Sequence, residues 1–562
     1  MKSNRGFGQA INLAIPLLFI AILFYWPLAK ILSRGFNGGW FSAITTIRIG
    51  SIIWFTIWQA FLSAIISLIL GIPGAYLLYN RRFAGQKFLR AFITVPFILP
   101  TIVVAIGFTA LQRLPIVGGL LYNGSLIPAI ICAHVFMNYS LVVRSVGSMW
   151  STLDSNTEDA AALDGAGRVR TLWSITMPQL RVAIISAFSL VFIYCFASFG
   201  IILVLGGGLV NSVETEIFTA ATQYLDLPKT TGLAFVQISL TALVFLIAQR
   251  SNQHTVMIEQ SDTSAKLKRV DHRDWLAVMV TGFVLVSFAL PIASILVRAF
   301  IFNRHLALMN FRNLAGFGAR DLLNITVGRA ALNSVRNLTV SLTLTMLISF
   351  LVSYAISRRT SNRRTSNRRS RALQRLVDIL FQIPLGISSV VLGFGYLITF
   401  SGGFLPLRSS WLVTPLVQSL MATPLVIRFI YPALISIDRD FLEAAATESA
   451  SAWQTWWQIE FPLIQTSTYT AFGYAAIISL GEFGAASFLA YGDQGTLPTV
   501  LYQLISRPGE QNYGMAMATS ATLIFLAFIM VYLTSAPRRI FKRFGLRSVE
   551  AESGRVGELV SY

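Results

Sequence analysis

Residues Ser155-Asn156-Thr157-Glu158-Asp159-Ala160-Ala161-Ala162-Leu163-Asp164-Gly165-Ala166-Gly167 run on to Ile175-Thr176-Met177-Pro178. Further along, Asp440-Phe441-Leu442-Glu443-Ala444-Ala445-Ala446-Thr447-Glu448-Ser449 run on to Ile459-Glu460-Phe461-Pro462. The two stretches are one segment written twice. A shift of 284 residues without gaps lays Asp159 on Glu443, Ile175 on Ile459 and Pro178 on Pro462. It also lays Arg144 on Arg428, Asp154 on Asp438, Trp173 on Trp457, Phe199-Gly200 on Phe483-Gly484 and Thr215 on Thr499. Pro100 falls on Pro384, with a small gap needed just after these prolines. Self-similarity at a fixed spacing marks a repeated architecture, so the chain reads as two tandem copies of one unit.

Composition says what the unit is made of. The chain has 562 residues, 55% hydrophobic and 12% charged, where a soluble domain has about 25% charged, and its mean hydropathy is +0.66. A water-soluble globular protein is excluded. Twelve apolar stretches are long enough to cross a bilayer, which takes about 20 residues each. They lie near 11–33, 52–79, 88–112, 126–148, 182–206, 231–249, 275–300, 333–357, 376–400, 411–435, 468–490 and 515–535. Runs such as Ile11 to Phe24 and Leu523 to Leu533 are apolar on every face, whereas a barrel strand alternates. A helix also pairs every backbone group within its own segment. The expectation is therefore an all-α polytopic membrane protein of about twelve transmembrane helices, built as two six-helix units. Residues 1–250 form the first unit, 251–274 a cytoplasmic linker, 275–535 the second unit and 536–562 a basic cytoplasmic tail. Parallel repeats imply a pseudo-two-fold axis along the membrane normal, with a path between the halves.

The net charge of +20 and pI near 10.3 do not point to nucleic acid, because the basic residues are scattered among loops and not gathered on one face. They do orient the chain, since cytoplasmic loops accumulate Lys and Arg. With the amino terminus inside, the cytoplasmic segments, including the inner helix ends at Arg144 and Arg428, hold most of the 44 Lys and Arg residues. Both termini are then expected in the cytoplasm. Met1-Lys2-Ser3-Asn4-Arg5 precedes an apolar run with no A-x-A site after it, so the first span is expected to stay uncleaved. Residues 358–371 contain the pentad RRTSN twice. This loop is read either as a contact with anionic headgroups, worth about 1 kcal/mol per basic residue, or as a solvated loop that fixes topology. Cys132 and Cys195 sit inside apolar runs, which argues against a disulfide framework and a zinc site.

The quoted loops are more ordered than a connector needs to be. Ser155 with Glu158, and Asp440 with Glu443, have the spacing of a capping box, so short helices are expected to begin there. The alanines favour helix and leave a face of little bulk. Gly165 permits a bend that a Cβ resists, and each later proline can open a helix without wasting a donor. These residues resemble the EAA loop of binding-protein-dependent ABC importer permeases: E-A-A, then Gly six residues after the Glu, then I-x-x-P. Asp159 stands where that family usually has Glu, with Glu158 just before it, and Ser449 stands in place of Gly.

The resemblance implies the fused, two-half permease of a type I importer in a bacterial inner membrane. Glu158, Asp159, Ala160, Ala161, Gly165 and Pro178, with Glu443, Ala444, Ala445, Ser449 and Pro462, would form the loops that seat on two copies of a cytoplasmic ABC ATPase. An extracytoplasmic substrate-binding protein would deliver the cargo, and alternating access would move it. No G-x-x-x-x-G-K-[ST] occurs in the chain. It is thus read as a permease and not an enzyme, with no cofactor of its own and with ATP and Mg²⁺ on the partner subunit.

Glu482, in Ser479-Leu480-Gly481-Glu482-Phe483-Gly484, is the clearest acidic residue inside a span. A charge there costs about 2.5–3.5 kcal/mol on insertion scales, so it should face the bundle interior. Two readings fit: a carboxylate on the path of a cationic substrate, or a gate or interhelical hydrogen bond. Its repeat partner is Ser198, and Ser198, Phe199, Glu482 and Phe483 are the candidate path residues. His134 and Asn138, one turn apart, are expected to hydrogen-bond between helices and not to ligate metal.

Across the whole chain, Trp58-Gln59-Ala60-Phe61-Leu62-Ser63-Ala64, Ala133-His134-Val135-Phe136-Met137-Asn138, Cys195-Phe196-Ala197-Ser198-Phe199, Leu205-Gly206-Gly207-Gly208 and Gly481-Glu482-Phe483-Gly484 with Thr496-Leu497-Pro498 resemble the thiamine permeases among these importers. The ferric iron permeases share the fused architecture and are the alternative. Two other classes compete: a twelve-span secondary transporter, which would need ionisable groups deep in its spans, and a membrane sensor scaffold using the same loops.

Overall fold

The computed structural model describes residues 13–37, 47–114, 117–119, 125–154, 157, 160–161, 163–251, 268–302, 305–361, 376–400, 410–490 and 492–544. Glu158, Asp159, most of the RRTSN loop, much of the linker and the end of the basic tail lie outside the described residues.

The first unit contributes α1 (Leu13–Arg34), α2 (Arg48–Asn80), the bent pair α3 (Gln86–Ile98) and α4 (Thr101–Gln112), α5 (Ile127–Trp150) and α6 (Val169–Phe196). It continues with α7 (Gly200–Gly206), α8 (Val213–Thr222) and α9 (Leu227–Ser251). The second unit has α10 (His272–Ala299), α11 (Val327–Ser361), α12 (Ser389–Phe400), α13 (Val413–Ile435), α14 (Arg439–Thr447), α15 (Phe461–Gly481), α16 (Leu497–Ile505) and α17 (Glu510–Phe544). Two short strand pairs and several single helical turns lie between these helices. β1 (Arg81–Arg82) runs parallel to β2 (Lys268–Arg269), and β3 (Ile301–Phe302) pairs antiparallel with β4 (His305–Leu306).

Among the described residues nine helices are long and apolar enough to cross a membrane, or ten if α3 and α4 count as one span. Twelve were expected, and each missing span has a local cause. The third breaks by 99° between Ile98 and Thr101, where Pro100 is extended with ψ 139° and cannot continue a helix. The ninth is split by the turn Ile383–Gly386 into a short helix over 376–382 and the twelve residues of α12. The eleventh, α15, carries Gln465, Thr466, Ser467, Thr468, Tyr469 and Thr470. Thr468 and Thr470 return their hydroxyl hydrogens to Ile464 O and Thr466 O at 3.1 and 2.8 Å, so their polarity is satisfied within the helix.

The repeat is visible in the break itself. In the first unit a short turn, Val95–Ile98 with Pro96, precedes Thr101–Gln112; in the second, Ile383–Gly386 with Pro384 precedes Ser389–Phe400. Pro384 therefore corresponds to Pro96, at a spacing of 288, and not to Pro100. The spacing returns to 284 by Arg144 and Arg428, so a gap does lie after these prolines, beyond Gln112 and Phe400.

The first helix of each unit packs on the other unit. The stretch of α1 from Trp26 lies against α12, while α10 lies against α2 and α4. Gly395 of α12 is pressed so close to Pro27 that an added Cβ would stand 3.2 Å from the Pro27 ring. Gly107 of α4 meets Pro291 of α10 at 3.1 Å in the same sense. Small residues let helices approach where lipid supplies no hydrophobic drive. One apolar core runs through both units, with a satellite cluster around α2, α5 and α6 and its counterpart around α11, α13 and α15.

Candidate translocation gate and coupling loops

The two loops quoted at the outset fold alike. Ala161 O accepts from Ala166 N at 2.9 Å, and Ala445 O accepts from Ala450 N at 3.0 Å. Ala160 O accepts from Asp164 N at 3.0 Å, and Ala444 O from Glu448 N at 3.1 Å. Both are the six-to-one closure of a helix end, which places one residue in the left-handed region. That residue is Gly165 at φ 82° and Ser449 at φ 56°. The turn survives the exchange of Gly for Ser because it is built by backbone bonds.

α14 starts two residues before the capping box expected from Asp440. Its N-cap is Asp438, whose carboxylate accepts from Asp440 N at 3.3 Å. Of the alanines, Ala161 and Ala445 are buried against their own chain, at 8% and 7% exposure, while Ala160 and Ala444 are exposed along with Glu443. The side carrying Ala160 and Ala444 is thus the open side of each turn. Beyond each turn comes a single π-helical turn, Leu172–Thr176 and Trp456–Glu460, ahead of the exposed Pro178 and Pro462. A proline denies a donor to the carbonyl four residues back, and a widened turn accommodates the loss.

The other candidate residues gather where the units meet. After α6 and α15 the chain breaks, and α7 and the short helix Ala486–Leu489 re-enter beside α4 and α12 respectively. Phe199 and Phe483, at these breaks, stack with centroids 5.2 Å apart and planes at 20°. Phe218 and Tyr502, also repeat partners, meet edge to face at 6.0 Å. Phe199–Phe218 at 5.3 Å and Phe483–Tyr502 at 5.6 Å close the ring of four. Phe218 and Tyr502 lie on α8 and α16, between the spans expected from sequence, and were not picked out there, although the shift of 284 aligns them.

Polar residues hold this plug in register. Along α2, Thr56, Gln59, Ser63 and Ser67 are fully buried, as are Ser341, Thr345 and Ser349 along α11, with Ser334 and Asn337 nearly so. Thr56 Oγ1 accepts from Val213 N at 3.0 Å and Ser334 Oγ accepts from Leu497 N at 2.8 Å, so each stripe holds the start of a helix of its own unit, α8 or α16. Capping boxes at Ser212–Thr215 and Thr496–Thr499 repeat as well.

His134 sits between Ser63 Oγ at 3.3 Å on Nδ1 and Ser198 Oγ at 2.8 Å on Nε2. Asn138 Nδ2 donates to its own helix at His134 O and reaches Cys195 Sγ at 3.4 Å. Both side chains do link helices, and they do so through different partners. The carboxylate of Glu482 accepts from Ala485 N at 2.7 Å and Ala486 N at 3.0 Å, capping the re-entrant turn beside the aromatic plug. Among the described residues no three His, Cys, Asp or Glu side chains gather as a metal site.

Two units crossing a membrane, an aromatic plug on the axis between them and a repeated turn between helices describe a two-half transport protein. The chain belongs to the family of binding-protein-dependent transport system inner membrane components, whose sequence profile matches residues 65–256 and 363–542, once in each unit. It is a multi-pass membrane component of a transport system. The thiamine transport system permease protein ThiP of Haemophilus influenzae is 24% identical over 91% of this chain and 93% of its own length. The protein of the same name from Escherichia coli K12 is 24% identical over 85% of this chain and 87% of its own. The ferric transport system permease protein FbpB of Actinobacillus pleuropneumoniae is 24% identical over 92% and 76%.

Proposed function

We propose that this chain is the fused permease of an ATP-driven importer whose cargo is thiamine. The observation that carries the reading is the paired cytoplasmic turn at Gly165 and Ser449, each presenting an exposed alanine, Ala160 or Ala444, beside it. The cargo follows the relatives, since proteins named as thiamine transport permeases align over most of the chain.

Two copies of a cytoplasmic ABC ATPase, holding ATP and Mg²⁺, seat on the two loops. A binding protein on the outer face releases cargo toward α8 and α16. Both termini stay in the cytoplasm, under the inner membrane of a bacterium. When the ATPase subunits close, the loops draw α6 and α15 with them. The Phe199–Phe483 stack, at the outer ends of those helices, then parts to open the path.

The test is ATP hydrolysis by the chain and its ATPase in nanodiscs, with binding proteins loaded with thiamine or with ferric iron. Stimulation by the thiamine-loaded protein, abolished by Ala160→Arg with Ala444→Arg, is expected. Equal hydrolysis in every arm overturns the importer reading. Stimulation by the iron-loaded protein alone replaces thiamine by ferric iron, the cargo suggested by the Actinobacillus relative.

A further inference from the structure

Two buried carboxylates lie beside the aromatic plug with no basic side chain to answer them. Glu214, in the first turn of α8, is 1% exposed and Glu482 is 8% exposed. Glu216, just beyond Glu214, is as deeply buried, but Lys229 Nζ reaches it at 2.6 Å. Among the described residues neither Glu214 nor Glu482 has a Lys, Arg or His partner. Such a pair is costly unless a cation compensates it.

The two side chains come from different units and converge. Both pack on α12, Glu214 through α8 and Glu482 through the turn Ala486–Leu489 that it caps, with Ser388 and Ser389 at the start of α12 as their neighbouring hydroxyls. Their repeat partners are Pro498 and Ser198, neither of them charged. The negative charge therefore lies on one side of the axis only. Two independent observations point to a ligand. Gln237, 1% exposed, donates its Nε2 to Glu214 Oε1 at 3.1 Å and leaves its Oε1 with no partner, an unused acceptor at the same place. Phe218 stands one helical turn from Glu214 and Phe483 directly follows Glu482, so the same carboxylates border the four rings. Ring faces attract cations.

We propose that Glu214, Glu482 and Gln237, with Phe199, Phe218, Phe483 and Tyr502, form a transit site for a flat organic cation, entered as the Phe199–Phe483 stack parts. The inference rests on the permease reading and narrows it to the charge and shape of the cargo. A bare metal ion would use the oxygens and gain little from the rings, whereas a delocalised heterocyclic cation uses both.

The experiment is uptake into proteoliposomes holding the full transporter, with the same binding protein in every arm. The probes are thiamine and deazathiamine, its uncharged ring analogue. The Glu214→Gln, Glu482→Gln double variant is expected to lower thiamine uptake at least tenfold and deazathiamine uptake much less, so the ratio between them collapses. Glu482→Asp, which keeps the charge, should restore most of that preference relative to Glu482→Gln. A merely structural role would lower both probes equally, and that result overturns the proposal, as does an unchanged ratio. If the double variant does not assemble, Glu214→Gln alone decides by the same ratio, because it leaves the Glu482 cap intact. Uptake of neither probe by the unaltered transporter would instead overturn the importer reading.

Discussion

Phe199 and Phe483, occupying the same position in the two units, stack on each other with centroids 5.2 Å apart. Equivalent residues can touch in this way only where the pseudo-two-fold axis passes between them. Their rings, with Phe218 and Tyr502 edge-on, close the space that a central path requires.

Shortening both plug residues should therefore open a leak. Phe199→Ala with Phe483→Ala is expected to raise ATP-independent passage of thiamine across proteoliposomes by at least tenfold. It should also destabilise the protein by several kcal/mol, since a buried Phe→Ala costs about 3–5 kcal/mol. Tightness and thermal unfolding, measured on one preparation, check both effects; an unchanged leak would remove the rings from the gate.

The left-handed turns give a prediction of opposite sign in the two units. Gly165→Ala puts a Cβ at φ 82°, where it meets nothing within 4 Å, so the cost is purely conformational, about 1 kcal/mol. Ser449→Gly relieves that conformation at φ 56° and should leave stability unchanged or raised by up to about 1 kcal/mol. Thermal unfolding of the two variants measures the signs.

Where the linker meets the second unit, Asp274 Oδ2 accepts from Arg81 Nε at 2.9 Å and from Asp271 N at 3.0 Å, and Tyr76 Oη donates to Asp274 Oδ1 at 2.7 Å. This ties the end of the linker to the first unit beside the β1–β2 pairing. Asp274→Asn should cost about 3 kcal/mol, because it strands a buried guanidinium, while Arg81→Met with Asp274→Leu should cost less than the sum of the single changes. A double-mutant cycle on thermal stability, with proteolysis of the linker as a second readout, checks it.

α8 and α16 are pinned by equivalent hydroxyls, Thr56 to Val213 N and Ser334 to Leu497 N. Thr56→Val and Ser334→Ala should each cost about 1–2 kcal/mol, the price of an unmade buried hydrogen bond. Similar losses are expected, and hydrogen exchange at the starts of α8 and α16 would register them separately.

Much of this was legible in the sequence because the repeat is covalent and periodic. The shift of 284 found the Phe199–Phe483 and Gly165–Ser449 pairs before any coordinates. It failed at Pro384, since a gap cannot be placed from prolines alone when Pro96 and Pro100 are both near. Span counting overstated α12, whose apolar run is split by a turn, and α15, which still forms a helix but whose hydroxyls make it too polar to count as a span. Glu214 went unnoticed because it falls between the expected spans 182–206 and 231–249, where an acidic residue signals nothing. Its burial and its approach to Ser388 come from packing between units, which no local pattern encodes. The exchange of α1 and α10 between units is equally silent in sequence, being a choice among similar apolar partners.

That exchange has a consequence for how the protein is made. The face of α4 at Gly107 is completed by Pro291, Ser294 and Ile295 of α10, which the ribosome delivers much later. At about 5–20 residues per second the first unit waits on the order of ten seconds with an unfilled groove. The nascent chain must spend that interval shielded by lipid or by the insertion machinery. Neither half is a finished folding unit, and the molecule is assembled only when the second half inserts.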